Sequence, residues 1–373
     1  MQKNRLVLLG IPFDNLKMDE AIHRIIKMTQ KNSKKKKNHF VATANVDFII
    51  NAHRGKNPKT SSKLLSILRN ADLVTADGMP LVWLSKLLGR PLKERVTGAD
   101  MVPHLAKAAG ENNKSIYLLG GMEGAAKTTV EILKTRHPKL QIAGYESPII
   151  DINNVSDNKA LITKINATNP DILFIALGNP KQELWFEKYR HLLEVPVSIG
   201  VGGTFEFISG QVSRAPEWIQ KSGLEWVYRI SQDPGRLISR YATDLFSFML
   251  MTVPLLLIHY ASKFIKYLNL LKFIKMPISL NMINRSSSHN GHQIYNASKL
   301  GEIDTKKVEN KKITIDFCNV SRFSIHEIMQ LMTFLLQAKK RNLSTKLINL
   351  RRIPYLILWS HRVNDLVKPL HHN

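Results

Sequence analysis

Between Phe40 and about Phe207, short apolar runs rich in β-branched residues alternate with amphipathic stretches. This alternation is typical of a parallel sheet whose strands are joined by crossover helices. We therefore predict an α/β fold, with a Rossmann-like, mostly parallel sheet and flanking helices. The predicted strands are Phe40–Ala44, Leu73–Ala76, Ser115–Leu119, Gln141–Tyr145, Asp171–Leu177 and Val197–Val201. The predicted helices are Leu16–Gln30, Ser61–Asn70, Pro80–Leu88, Met101–Glu111, Gly124–Arg136, Asp157–Thr168 and Lys181–Leu193.

The composition changes along the chain and indicates four regions. The α/β core is expected to span residues 1–212, and an Arg/Trp-rich appendage with an apolar and basic helix is expected at 213–283. Residues 284–298 are rich in Ser, Asn and His, as linkers are. A second strand–helix–strand pattern predicts a small α/β domain at 299–373.

The formal net charge is +25, from 54 Lys and Arg against 29 Asp and Glu. Such an excess favours a polyanionic partner, which could be nucleic acid, anionic lipid or a diphosphate. The basic residues are spread along the chain and no DNA- or RNA-binding motif is present, so a nucleic-acid partner is not expected. The run Lys34–Lys37 is interpreted as a solvated loop that adds to attraction towards a membrane.

The single cysteine, Cys318, excludes an internal disulfide and a cysteine-rich zinc site. We expect a cytoplasmic protein without a signal peptide, because the apolar run within Met1–Gly10 is too short for one. The longest apolar stretch, Leu245–Ile258, is shorter than the roughly 20 residues of a spanning helix and contains Pro254. Peripheral attachment to the inner membrane face is therefore predicted, with a true span as the alternative.

Polar residues follow two of the predicted core strands. Thr43 and Asn45 end one strand and point to the same face, and Asp77 ends the next strand. Ligands of open α/β sheets bind outside the carboxyl ends of the strands, where an aspartate can act as a general base. The alternative is that Asp77-Gly78 only forms a turn.

The run GNPKQE (178–183) joins another predicted strand to a helix. Its loop brings free backbone N–H groups and the side chains of Asn179, Lys181 and Gln182 to a helix N-terminus, which suits a diphosphate or sugar hydroxyls. A capped helix start explains the same residues without a ligand.

Glycines after two strands, at Gly120-Gly121 and at 200–203, allow a nucleotide to approach the backbone closely. Neither run completes a dinucleotide-binding fingerprint, and no Walker loop is present. The sequence also contains no H-E-x-x-H motif, no clear D-x-D motif and only scattered histidines. We therefore expect a metal-independent reaction without a cofactor.

Three arginines of the appendage, Arg229, Arg236 and Arg240, lie at near-helical spacing among Trp and Tyr residues. Guanidinium groups match phosphate oxygens, and Trp and Tyr favour the membrane interface. These residues predict a membrane-proximal phosphate site. The alternative is a basic amphipathic helix whose aromatic residues pack in the core.

Eight stretches, in order and over about residues 5–245, resemble the WecG/TagA/CpsF glycosyltransferases, glycosyltransferase family 26. They are TANVDFI (43–49), ADLVTADGMPLVW (71–83), GRPLKERVTGADMVP (89–103), YLLGGMEGAA (117–126), HPKLQIAGYESP (137–148), PDILFIALGNPKQELW (170–185), VGGTFEFISGQVSRAPEW (201–218) and GLEWVYRISQDPGRLISRY (223–241).

The resemblance implies inverting transfer of a hexose or an N-acetylhexosamine, of the N-acetylmannosamine type, in surface polysaccharide synthesis. The donor would be a UDP-sugar and the acceptor an undecaprenyl-diphosphate-linked sugar. Asp77 would be the catalytic base, with Thr43 and Asn45 beside it. Substrate contacts are assigned to Thr43, Asn45, Gly121, Asn179, Lys181, Gln182, Glu206, Arg229, Arg236 and Arg240. One departure is Glu206, where the family pattern has aspartate.

The tail resembles a STAS domain over KITIDFCNVSRFSIHEIMQLMTFLLQAKKRNLSTKLINL (312–350). Its usual Asp-Ser-Ser/Thr-Gly loop is replaced by residues 322–326, with Ser324 near the position of phosphorylation. The resemblance implies a regulatory or docking module that contacts a protein partner. A nucleic-acid-binding protein, or a membrane scaffold with an inactive transferase core, is the alternative function.

Overall fold

A computed structural model describes residues 5–30, 38–267, 288–289, 292–296, 312–317, 325–341 and 343–348. The chain forms two compact units, of which the first consists mainly of Ile11–Lys86 and Arg90–Phe248. The predicted run Lys34–Lys37 lies outside the described residues.

The core of the first unit is a parallel sheet of six strands in the order β4-β3-β8-β7-β5-β6. Its strands are β3 (His39–Ala44), β4 (Leu73–Ala76), β5 (Ser115–Gly120), β6 (Gln141–Glu146), β7 (Ile172–Ala176) and β8 (Val197–Gly200). In the middle of the sheet, Val41 of β3 pairs with Ile199 on one side and Leu73 on the other. The predicted α/β fold is confirmed.

Helices join these strands, as crossover connections between parallel strands require. They are α1 (Met18–Met28), α2 (Val46–Arg54), α3 (Pro58–Asn70), α4 (Met79–Leu87), α5 (Gly98–Glu111), α6 (Ala125–Arg136), α7 (Val155–Ala167), α8 (Lys181–Tyr189) and α9 (Thr204–Ser209). One large buried cluster packs α1, α5 and α6 on the sheet, and includes Ile25, Leu105 and Phe174. Burial on both faces explains why the strands are apolar runs rather than alternating ones.

Four elements of the core are absent from the sequence prediction. A two-stranded sheet of β1 (Arg5–Leu8) and β2 (Ile11–Asp14) precedes the main sheet. The helices α2 and α9 are short, with nine and six residues, so they offer little periodic pattern from which to predict them. The side chain of Asn45 marks the start of α2, because it accepts a hydrogen bond from the Phe48 N–H at 3.3 Å.

The appendage is helical and contains α10 (Glu217–Ser222), α11 (Glu225–Gln232) and α12 (Pro234–Tyr267). Helix α12 continues through Pro254 for 34 residues, longer than the apolar stretch Leu245–Ile258 indicates. Within it, Leu237–Ala261 is long and apolar enough to cross a membrane by length and composition, and only 17% of its most apolar window is buried. The length of this helix is therefore compatible with a membrane span. The apolar stretch Leu245–Ile258, from which peripheral attachment was predicted, is only part of the helix.

The second unit contains a four-stranded sheet in the order β12-β11-β10-β9. Its elements are β9 (Ser288–His289), β10 (His292–Asn296), β11 (Lys312–Asp316), α13 (Ile325–Lys340) and β12 (Ser344–Ile348). Strands β11 and β12 pair in parallel, as the strand–helix–strand pattern predicts. Two strands fall within the predicted linker at 284–298, while Cys318 and Ser324 lie outside the described residues. The linker boundaries and the STAS resemblance remain predictions.

Candidate active site

All six strands of the main sheet are parallel, so their carboxyl ends lie along one edge. Asp77, Asn45 and Gln182 follow β4, β3 and β7, and Gly121 follows β5. The fold therefore brings most of the predicted site residues to the edge where ligands of such sheets bind.

Asp77 is a partly buried carboxylate at this edge. Its backbone N–H donates to the carbonyl of Ala44, and its Oδ2 accepts from the Gly98 N–H at 3.1 Å. Burial raises the pKa of Asp77 to about 6, while the Gly98 N–H and the positive charge of Arg95 limit the rise. A carboxylate with this pKa is ionised at neutral pH and can take up a proton, as a general base must.

Four charged side chains form an arginine–carboxylate network beside Asp77. Arg95 Nη1 lies 2.8 Å from Glu225 Oε2, and Arg214 Nη1 lies 2.6 Å from Asp100 Oδ1. Burial pushes the pKa of Asp100 upwards, but hydrogen bonds from Arg214 and Thr97 outweigh it and leave that pKa below its usual value. The network ties α11 of the appendage to α5 of the core, within one compact unit.

Arg229, on α11, also acts electrostatically on Asp77 and lowers its pKa. Its guanidinium lies over the ring of Phe207, 4.5 Å from the ring centroid. Among the described residues no carboxylate forms an ion pair with it, in contrast to Arg95 and Arg214. A cation with these surroundings can take a phosphate group as its partner.

The run at 178–183 holds a buried polar cluster that contains Gln182, Glu183 and Asn179. Gln182 Nε2 donates to Glu183 Oε1 at 2.7 Å, and Asn179 Nδ2 donates to Glu183 Oε2 at 2.9 Å. Burial raises the pKa of Glu183 to about 7, against these hydrogen bonds, which favour the ionised form. Gln182 is 1% exposed, so its side chain is part of the wall of the site rather than an open contact. Lys181 is the first residue of α8.

Thr43 and Asn45 both serve the scaffold. The buried Thr43 hydroxyl donates to the carbonyl of Gly200 at 2.9 Å, and Asn45 caps α2. Gly98 is packed so closely that a Cβ there would lie 3.1 Å from Thr43 Oγ1. These contacts fix the carboxyl ends of β3 and β8, next to the end of β4 that Asp77 follows.

Gly121 and Glu206 lie where the turn after β5 contacts helix α9. Gly121 has φ +81°, and a Cβ there would lie 3.1 Å from the ring of Phe205, so this position requires glycine. Glu206 Oε1 accepts from the Met122 N–H at 2.8 Å, whereas Oε2 is buried without a hydrogen-bond partner in the described residues. The carboxylate of Glu206 therefore lies against the turn after β5.

Arg240 and Arg236 lie on α12. Arg240 Nη2 is 2.9 Å from Asp47 Oδ2 on α2, so binding of a phosphate by Arg240 would require exchange of this partner. The side chain of Arg236 lies outside the described residues. The roles assigned to both arginines remain predictions.

Arg95, Glu183 and Asn51 join the site although sequence reasoning did not select them. Arg95 lies in the quoted stretch GRPLKERVTGADMVP and Glu183 in GNPKQE, so both were visible only as parts of motifs. Asn51 has no sequence signal of its own. In the described part of the chain, no group of three or more His, Cys, Asp and Glu residues could hold a metal ion.

Comparison with known proteins identifies the family to which the chain belongs. The chain matches the profile of the glycosyl transferase WecG/TagA/CpsF family over residues 6–261. An N-acetylglucosaminyldiphosphoundecaprenol N-acetyl-beta-D-mannosaminyltransferase of Bacillus spizizenii is 36% identical over 200 residues, covering 54% of this chain and 74% of the relative. An enzyme of the same name from Staphylococcus aureus (strain MW2) is 29% identical over 230 residues, covering 62% of this chain and 85% of the relative. From its sequence and from the site at its sheet edge, the chain belongs to the WecG/TagA/CpsF family of glycosyltransferases.

Proposed function

We propose that this glycosyltransferase moves a hexose or an N-acetylhexosamine from a UDP-sugar to an undecaprenyl-diphosphate-linked sugar, with inversion, during surface polysaccharide synthesis. The proposal rests on the position of Asp77. This carboxylate, with a pKa of about 6, lies at the carboxyl ends of the strands, near the positive charges of Arg95 and Arg229. Relatives named for transfer to N-acetylglucosaminyldiphosphoundecaprenol support the class of acceptor.

Asp77 acts as the base in this reaction. Its carboxylate removes the proton from an acceptor hydroxyl, whose oxygen attacks the anomeric carbon of the donor. The bond from that carbon to the phosphate oxygen breaks, and UDP leaves with the electron pair. Attack from the face opposite the leaving group inverts the configuration, and Arg229 offsets phosphate charge near the reaction.

Membrane attachment through α12 brings the enzyme to its lipid-linked acceptor. Large apolar side chains are exposed along this helix, among them Phe246 at 65% and Leu257 at 66%. An exposed apolar helix next to basic residues binds a membrane surface through both apolar burial and charge. We place the enzyme on the cytoplasmic face as a peripheral protein, so high salt or deletion of residues 229–276 should release it. Extraction by detergent alone would instead indicate a span.

The assay that tests the transfer combines purified full-length protein, a set of UDP-hexoses and UDP-N-acetylhexosamines, and a polyprenyl-diphosphate-GlcNAc acceptor. The expected product is a disaccharide lipid of inverted anomeric configuration. For Asp77→Asn we expect kcat to fall by roughly 10²- to 10⁴-fold, the usual contribution of a general base.

A matched control is Asp171→Asn. Asp171 lies at the amino ends of the strands of the same sheet, far from their carboxyl ends, and accepts from the Ser115 N–H. This variant should keep the wild-type kcat. An Asp77→Asn enzyme at full rate would exclude Asp77 as the base, and no turnover with any donor would exclude the proposed transfer.

A further inference from the structure

We infer that Glu183 is a positioning residue, whose carboxylate orients the amides of Asn179 and Gln182. It thereby holds helix α2, the start of α8 and the turn after β8 in the arrangement that binds the nucleotide donor. The inference rests on the proposed function, because the donor is taken to be a UDP-sugar. It assigns to Glu183 a role that is separate from the chemistry at Asp77.

The hydrogen bonds leave each amide one orientation. An ionised carboxylate can only accept, so both amides must turn their NH₂ groups towards Glu183. Their carbonyl oxygens then face outwards, where Asn51 Nδ2 donates to Asn179 Oδ1 at 2.8 Å and the Gly202 N–H donates to Gln182 Oε1 at 3.0 Å. The result is a continuous chain of hydrogen bonds from α2, through the start of α8, to the turn after β8.

The packing around Glu183 and Gln182 is tight. Glu183 is completely buried and Gln182 nearly so. A Cβ at Gly200 would lie 2.6 Å from Gln182 Nε2 and 3.1 Å from Glu183 Oε1, so the last residue of β8 must be glycine for the cluster to fit. A buried polar network in which every member is satisfied specifies one geometry.

The cluster has no cation of its own in the described residues. The charged group that acts on Glu183 is Asp47 on α2, which raises its pKa, and Asp47 is itself paired with Arg240 of α12. On the side of α8 and β8, the Glu183 oxygens accept from the two amides, and Gly200 lies close to Oε1. Protonation of Glu183 would turn one oxygen into a donor that faces an amide NH₂. One amide would then have to rotate, which breaks the link either to Asn51 or to Gly202.

Glu183→Gln imitates the protonated state at every pH, because the new NH₂ group would face one of the two amide NH₂ groups. The matched control is Glu187→Gln, one turn further along α8, where the half-exposed side chain pairs with Arg190. Two measurements are compared: the Kd of UDP by calorimetry and the donor KM in the transfer assay, each between pH 6 and 8.5.

In wild type and in Glu187→Gln, we expect the UDP Kd and the donor KM to rise as the pH falls below about 7. In Glu183→Gln, both should be raised about tenfold at pH 8 and stay constant with pH. The dependence of kcat on Asp77 should remain in all three proteins. A residue that only stabilises the fold would not move the pH dependence of UDP binding.

Asn51→Ala serves as a second variant, because it removes one link and leaves Glu183 in place. We expect it to raise the UDP Kd severalfold and to retain the pH dependence. Wild-type affinity and pH profile in Glu183→Gln would overturn the inference. If that variant does not fold, a wild-type UDP Kd that is constant from pH 6 to 8.5 would overturn it. Wild-type protein that binds no UDP at any pH would instead contradict the proposed function.

Discussion

Asp77 and Glu183 are two carboxylates at the same edge of the sheet, and burial raises the pKa of each. Their surroundings differ in access and in charge. Asp77 is partly exposed, accepts one backbone hydrogen bond and is near Arg95 and Arg229. Glu183 is sealed from solvent and held by two neutral amides.

In the mechanism proposed above, this difference separates the reacting group, Asp77, from the positioning group, Glu183. A base must reach the acceptor hydroxyl and be surrounded by groups that tolerate charge movement, and the Asp77 side offers both. Within the described part of the chain, Glu183 has neither access to a substrate nor neighbouring cations, because it is buried and both of its oxygens accept hydrogen bonds from Asn179 and Gln182. A raised pKa alone therefore does not identify the catalytic residue, whereas access and neighbouring charge do.

Apart from the loss of Asp77 itself, removal of Arg229 should have the largest effect on the Asp77 side of the site. Hydrogen bonds to charged groups contribute about 1.5–3 kcal/mol, so Arg229→Ala should raise the KM for the diphosphate-linked acceptor by roughly 10- to 100-fold. The pH at which kcat is half-maximal should also move upwards, because Arg229 lowers the pKa of Asp77. Steady-state kinetics with varied acceptor, at several pH values, measure both changes.

Arg190→Ala is a matched control for this prediction. Arg190 also lies over a phenylalanine, 5.2 Å from the centroid of Phe186, but it is located after α8 near the amino ends of the strands. This variant should keep the wild-type acceptor KM. An equal loss in both variants would show that Arg229 contributes through packing, and the contrast between the two carboxylate regions would fail.

The second prediction concerns stability on the Glu183 side. Its pKa is about 7 in the folded protein and near 4.5 in the unfolded chain, so the folded state binds more protons between these values. The free energy of unfolding therefore decreases as the pH rises through this window. With about 1.36 kcal/mol per pKa unit, the wild type should lose about 2–3 kcal/mol relative to Glu183→Gln between pH 5 and 8.

Urea unfolding of wild type, Glu183→Gln and Glu187→Gln at pH 5 and pH 8 measures this difference. The comparison between variants cancels the contributions of all other titrating groups. Glu187→Gln should follow the wild type. If the free energy of unfolding has the same pH dependence in wild type and in Glu183→Gln, Glu183 is ionised from pH 5 to pH 8, as a well-solvated carboxylate would be.

The strands of the sheet were predictable because each is a short apolar run that is buried on both faces. Asp77 was predictable for the same reason, since the end of a strand fixes the edge on which a residue lies. Helix α2 was not predictable, because its nine residues, VDFIINAHR, give only a short pattern that follows β3 after Asn45.

The outer links of the Glu183 cluster could not be predicted from the sequence. Asn51 donates to Asn179 and the Gly202 N–H donates to Gln182 across large sequence separations. These contacts form because β3, which precedes α2, pairs with β8 in the folded sheet. The same holds for Arg95 and Glu225, which are 130 residues apart. Contacts of this kind depend on strand order, which local periodicity does not determine.

The smallest expected effect belongs to Phe207, whose ring supports Arg229 on the Asp77 side. Cation–π contacts contribute about 1 kcal/mol at partly exposed sites, so Phe207→Leu should raise the acceptor KM by roughly fivefold. Leucine keeps apolar bulk but presents no π face to the guanidinium. In an Arg229→Ala background the same substitution should have no further effect, because the two residues act as one unit. Additive losses in the double variant would mean that Phe207 affects the acceptor KM independently of Arg229.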